Sequence, residues 1–218
     1  MPLLTDPATV AGLVTREIRT GSRDGAETRI AVARRTYPTG QEDLWEALTS
    51  AERLPRWFMP VSGELEVGGR YQLEGNAGGS VEECEAPQRF AVTWEFGGLM
   101  SWLVVTLSPD GSGTQLELVH EAPVDPQMWE QFGPGAVGVG WDLALLGLGM
   151  HLDTGEAVDP EVAMTLHTTP EGLTFIRTAA EGWADAAIAD GDDPTVAHTA
   201  AEQTIVFYTT EPEEGAES

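Results

Sequence analysis

Residues 89–121, RFAVTWEFGGLMSWLVVTLSPDGSGTQLELVHE, decide the fold. In residues 89–96 every second position is large and apolar, so Phe90, Val92, Trp94 and Phe96 share one side. A period of two is the mark of a strand covered on one face. Residues 101–107 are apolar on both sides, which predicts a strand that is central or covered twice. Asp110-Gly111-Ser112-Gly113 then turns the chain, and residues 114–121 resume the alternation, with Leu116, Leu118 and His120 set against Gln115, Glu117 and Glu121. Strands joined by turns this short run antiparallel.

Working towards the N-terminus, residues 81–85 and 70–74 read as further strands, each announced by a glycine pair, Gly78-Gly79 and Gly68-Gly69. Before them Leu44, Trp45 and Leu48 fall at helical spacing, and Leu54 and Trp57 share a face of a second short helix that Pro60 closes. Residues 27–37 turn β-like again, with Ile30 and Val32 opposite Ala31 and Ala33. Residues 1–24 read as a loose arm with a short strand near 14–19.

Towards the C-terminus the period becomes helical after Pro123 and Pro126. Trp141, Leu145, Leu148 and Leu152 make one stripe at i, i+4, i+7 and i+11. Strand, short helices, antiparallel strands and a long helix make an α+β domain over residues 25–155. A curved sheet wrapped around that helix buries one face on it, and what the two do not fill becomes a cavity. Over residues 156–212 a different unit begins. Ile176, Ala180, Trp183 and Ala187 form a helical stripe, and Gly191-Asp192-Asp193-Pro194 supplies a stop, an N-cap and a first-turn proline for a last helix. This predicts an α-hairpin packed on the main domain, or on a second subunit in a homodimer. Residues 213–218 read as a disordered acidic tail.

Composition removes whole classes of chemistry. There are 36 acidic residues against 11 basic ones, a net charge of −25, and every basic residue is an arginine. Without lysine there is neither a Schiff-base amine nor a P-loop phosphate lysine. Nucleic acid needs a basic footprint that this chain lacks. The lone Cys84 excludes an intrachain disulfide and a thiolate-rich metal site, which suits a cytoplasmic protein, and no signal peptide is read. The most apolar run, residues 141–152, is broken by Asp142 and two glycines, so no membrane span is expected. His151, His167 and His198 are scattered without ligand spacing, and neither a metal nor another cofactor is expected.

The chain resembles a known family on a specific set of residues. Arg35-Thr36-Tyr37, Leu44-Trp45, Ala47-Leu48-Thr49, Glu52, Leu54 and Trp57-Phe58 with Pro60 are similar to its opening strand and helices. Val67-Gly68-Gly69-Arg70-Tyr71 is similar to its Gly-Gly strand start, and Glu83 to Glu85, Pro87, Arg89-Phe90 and Thr93-Trp94 to its next strand pair. Gly113-Thr114, Leu116, Leu118 and His120-Glu121, then Gly140-Trp141 with Leu145, complete the order over roughly residues 28–152. Gly40 and Ala51 stand where prolines are usual, and the C-terminal hairpin lies outside the match. The family is the Hsp90-ATPase-activator-like branch of the START/Bet v 1-like (SRPBCC) superfamily. The resemblance implies a helix-grip fold with a hydrophobic tunnel between sheet and last helix. It also carries a link to a co-chaperone, which fold likeness alone does not transfer.

The candidate ligand-binding residues are Trp57, Phe58, Tyr71, Trp94, Phe96, Trp102, Leu116, Leu118, His120, Trp141 and Leu145. Aromatics in this number suit an apolar or aromatic ligand, although most aromatics are core. His120 is placed inward by alternation, with Glu121 next to it. It is either a weak candidate for a general base or a core histidine bonded to its surroundings. Gly133-Pro134-Gly135-Ala136-Val137-Gly138 spells G-x-G-x-x-G, yet no strand feeds it and Pro134 removes an amide, so it reads as a flexible lid (Gly133, Pro134, Gly135, Gly138) or a helix entry and not as a dinucleotide loop. Three functions follow as expectations. The first is binding of a small hydrophobic or aromatic molecule. The second is a cyclase/aromatase-like enzyme with His120 as base. The third is a co-chaperone-like interaction module.

Overall fold

A computed structural model describes residues 6–210. The expected tail, residues 213–218, lies outside them. The architecture is α+β of the helix-grip kind. Eight antiparallel strands form one sheet in the order β1 (Thr15–Arg23), β2 (Ala26–Tyr37), β8 (Gly113–Pro123), β7 (Leu99–Asp110), β6 (Arg89–Phe96), β5 (Gly78–Glu85), β4 (Arg70–Leu73), β3 (Val61–Gly63). Its centre is the meander read from the sequence: β6 (Arg89–Phe96), β7 (Leu99–Asp110) and β8 (Gly113–Pro123). Gly97, Gly98 and Gly111 take positive φ at the two turns, a conformation open to glycine at no steric cost. β7 is central, with Ser101, Leu103, Val105 and Leu107 buried on its inner side.

β2 (Ala26–Tyr37) pairs with β8, setting Ala31 opposite His120 and Ala33 opposite Leu118. Its other edge pairs with β1 (Thr15–Arg23), from Thr15 opposite Arg34 to Arg23 opposite Ala26. Residues 15–23 are therefore a full edge strand, not part of a loose arm, and α1 (Pro7–Gly12) precedes it under the Asp6 N-cap. The alternation is hidden because the inward side carries Arg16 and Thr20 as well as Ile18. Asp24-Gly25, with φ of 52° and 82°, is the two-residue turn that joins the strands.

α2 (Gln41–Thr49) and a 3₁₀ turn at Leu54–Arg56 follow, then the short strands β3 (Val61–Gly63) and β4 (Arg70–Leu73). Gly78 and Gly79 do not punctuate; they open β5 (Gly78–Glu85). A side chain at Gly79 would run into the Thr93 carbonyl of β6, so glycine here permits close pairing of strands.

A short α3 (Pro126–Phe132) leads to α4 (Gly135–Thr154), the long helix on the inner face of the sheet. Of the expected lid, Gly133 ends α3, Pro134 is the N-cap of α4, and Gly135 and Gly138 lie in the first turn of α4. Gly138 faces the Trp183 ring and Gly135 the Thr204 side chain so closely that a Cβ at either would clash. Because the helix starts at 135 and not 141, it is by length and composition long enough to cross a bilayer, contrary to the expectation. Its apolar surface is instead spent on the interior: 56% of the window is buried between sheet and hairpin.

That hairpin is α6 (Pro170–Asp190) and α7 (Pro194–Thr209), preceded by the single-turn α5 (Pro160–Thr165). Gly191 ends α6 in the left-handed region and Asp193 caps α7 through the amides of Thr195 and Val196. Ile176, Ala180, Trp183 and Ala187 are buried against α4 and β1. A buried knot ties the layers: the Arg16 guanidinium donates two hydrogen bonds to Asp142 of α4, and Trp183 Nε1–H donates to the same carboxylate at 2.6 Å. Burial pushes the Asp142 carboxyl up from its ordinary value, and the Arg16 guanidinium and Trp183 N–H pull it back.

Candidate functional site: an apolar cavity between sheet and helix

Between the inner face of the sheet and α4 lies a cavity of about 320 Å³. The alternating strands supply its floor: Phe90, Val92 and Trp94 from β6, Leu103 and Val105 from β7, Leu116 and Leu118 from β8. The roof is the α4 stripe, Trp141, Ala144, Leu145 and Leu148. Trp45, Leu48 and Leu54 close one side with the stacked pair Trp57 and Phe58, whose centroids are 5.4 Å apart. Gly147 lets the Trp57 carbonyl approach the helix, since a Cβ there would sit 2.8 Å from that oxygen. Tyr71, Leu73, Val81, Leu65 and Cys84 complete the wall, and the last two are exposed, so the cavity reaches solvent on the β3–β5 side.

The wall offers almost no free polarity. Trp57 Nε1–H donates to the Ala47 carbonyl at 2.9 Å, the Tyr71 hydroxyl to the Thr93 carbonyl at 2.8 Å and the Thr49 hydroxyl to the Trp45 carbonyl at 2.8 Å. Burial pushes the Tyr71 phenol up, so it stays protonated at any ordinary pH. No Asp, Glu, Arg or His is among the described lining residues. A charged group inside would be desolvated without a partner, which is strongly unfavourable.

Of the residues named from sequence, Trp57, Phe58, Tyr71, Trp94, Leu116, Leu118, Trp141 and Leu145 border this cavity together. Three others do not border it. Phe96 follows Trp94 in alternation, but β6 ends there and the ring is 57% exposed. Trp102 faces the opposite side of the sheet, under the Arg23 guanidinium at 4.0 Å from the ring centroid. His120 lies behind Trp94 and Trp141, where it borders a second, smaller hollow. Of the lid residues, Gly133 and Pro134 also border that hollow, while Gly135 and Gly138 lie under the hairpin. Trp45, Leu54, Phe90, Val92, Leu103 and Leu148 also line the cavity and are not among the residues named from sequence. Phe90 and Val92 share a face with Trp94, which was the available signal; no local pattern tells which side of α2 faces the cavity.

His120 is buried, and both ring nitrogens are engaged. Trp141 Nε1–H donates to Nδ1 at 3.0 Å, and an indole N–H can only donate. Nδ1 is thus the acceptor and Nε2 carries the proton, which it gives to the Ser101 hydroxyl at 2.7 Å. Ser101 in turn donates to the Trp94 carbonyl at 3.1 Å. Burial pushes His120 down to about 4, so the ring is neutral at pH 7. Glu121, its sequence neighbour, points to the other face and bonds Arg23 and Thr28. Among the described residues no group of three or more His, Cys, Asp or Glu side chains converges as metal ligands would.

The comparisons agree with this architecture. The profile of the family described as Activator of Hsp90 ATPase homolog 1-like protein matches residues 38–153. The crystal structure of CalU16 from Micromonospora echinospora is similar at 31% identity and a TM-score of 0.63, over 79% of this chain and 97% of that one. Its solution structure gives 31% identity and a TM-score of 0.68, over 82% and 97%. Protein MLL2253 from Mesorhizobium loti, at 24% identity, a TM-score of 0.51 and coverage of 57% and 97%, shares the fold. No curated protein sequence matches the chain. A sheet gripping one long helix, the ordered motifs across its strands and these matches agree: the chain belongs to the Activator of Hsp90 ATPase homolog 1-like protein family.

Proposed function

We propose that the protein binds a small, uncharged hydrophobic or aromatic molecule between the sheet and α4. The observation that carries this reading is the aromatic cavity of about 320 Å³ whose described wall holds no charged side chain. That volume lies at the small end of the range typical for ligand pockets, which run to about 1,000 Å³. Burying about 200 Å² of apolar ligand surface is worth about 5 kcal/mol before the cost of association, enough for a weak to moderate complex. The enzyme reading asks His120 to act as base. Its only free lone pair, on Nδ1, already accepts from Trp141, and it lies behind the cavity wall. The co-chaperone reading would gain from an apolar outer sheet face, but that face carries ion pairs, Arg34 with Glu17 and Glu117 and Arg23 with Glu121.

Native mass spectrometry of the purified protein after exposure to a cell extract tests the reading. A small neutral molecule retained at one copy per chain is expected. Bare protein in repeated trials, with no response of tryptophan fluorescence to 1-naphthalenemethanol, would overturn it.

A further inference from the structure

The inner face of the sheet holds two hollows, not one. Beyond the main cavity a second, of about 140 Å³, is bordered by Ile18, Ala31, Trp129, Pro134 and Val137. What separates them is a plug of three rings. Trp94 and Trp141 meet edge to face at 5.1 Å between centroids, Trp141 and His120 at 5.7 Å, and Trp94 and His120 at 6.2 Å. Trp94 and Trp141 form the end wall of the main cavity, while His120 faces the second hollow.

We propose that Trp141 is the stop that sets the length of ligand the cavity accepts, and that His120 is the positioning residue that holds it. This rests on the ligand-binding reading above. The alternation of β8 runs Leu116, Leu118, His120, and a third leucine would fill the same side at no polar cost. A histidine here instead supplies the acceptor that aims the indole. The seam is anchored at both ends: Trp141 donates to His120, His120 to Ser101, and Ser101 to the Trp94 carbonyl, so both tryptophans of the end wall belong to one hydrogen-bonded chain. A ligand too long for the cavity has to turn Trp141 aside, which breaks this bond and leaves a buried acceptor bare. That lowers its affinity on the order of tenfold. The space behind the plug is largely apolar, with Arg29, His120 and Asp125 the only ionisable side chains among its described lining residues, and an alkyl end could occupy it once the indole is out of the way.

The test is a series of straight-chain primary alcohols from hexanol to tetradecanol, with binding read by calorimetry. For the wild type, affinity should rise about fourfold per added methylene and then stop rising at one chain length. In Trp141→Ala the break should move outward by several methylenes. His120→Leu keeps the packing and removes both the acceptor for Trp141 and the Nε2–H given to Ser101; there too the break should move outward, with the shorter alcohols bound within about threefold of the wild type. If both variants fold by circular dichroism and the break stays in place, the proposal is wrong, because a merely structural role would scale all affinities together. If the wild type binds no alcohol of any length, the cavity reading fails first and this inference falls with it.

Discussion

His120 shows how a single residue can look like chemistry in a sequence and act as architecture in the fold. Its inward placement is set by strand alternation, but its protonation is set by Trp141, which takes Nδ1 and so leaves the proton on Nε2 for Ser101. The folded value, about 4, lies below the ordinary histidine value of about 6.5. Between those values the unfolded chain holds the proton and the folded one does not, so this group's contribution is complete above pH 6.5 and is lost as pH falls towards 4. From pH 7.5 to 4.5 urea unfolding should show the wild type losing about 2 kcal/mol more than His120→Gln. Equal losses would contradict the assignment. The position of His120 was legible from the sequence; its bonding was not, because Trp141 and Ser101 meet it only across the fold.

Among the elements, α4 carries the most information and was the most easily misread. Its apolar stripe was plain from Trp141 onward. Gly133, Pro134, Gly135 and Gly138 read as a lid, yet Gly135 and Gly138 are there so that Thr204 and Trp183 can approach. Small residues that permit close packing and small residues that loosen a loop are indistinguishable without the partner. Gly138→Ala should destabilise the fold by about 1–3 kcal/mol through overpacking against Trp183, whereas Gly12→Ala, which meets nothing within 4 Å, should do little in the same denaturation experiment. The strand β1 was legible only in part, near residues 14–19, for a related reason: its inward Arg16 looks like a surface residue until Asp142 is seen. Asp142→Ala strands that guanidinium and should cost about 3–5 kcal/mol, while the pair replaced together by Arg16→Met and Asp142→Leu should cost much less. Equal costs would mean that the stranded Arg16 charge is not what makes the loss of Asp142 expensive.

For the molecule as a whole, the antiparallel meander and gripped helix followed from the order of periodicities, and the cavity from what a curved sheet and a straight helix leave unfilled, while the pairing of β2 with β8 did not. The cavity's extent did not, because α2 and the 3₁₀ turn close it through tertiary contacts. Charge is a second whole-molecule property. Among the described residues every arginine except Arg35 and Arg56 is within ion-pair reach of a carboxylate, so the surplus of the −25 net charge is left as mutual repulsion. Thermal stability should therefore rise as sodium chloride is raised to about 0.5 M, where screening shortens to a few ångströms. A fall would mean that surface ion pairs outweigh the repulsion.

Whether the space under α4 is a binding site can be decided by filling it. Ala144 lines it from the helix, so Ala144→Phe puts a phenyl ring where the ligand would sit. Calorimetric titration with 1-naphthalenemethanol should show one site on the wild type. The folded variant should bind at least tenfold more weakly, with thermal stability kept or raised because the void is filled. Binding of equal strength to both proteins would contradict a site under α4.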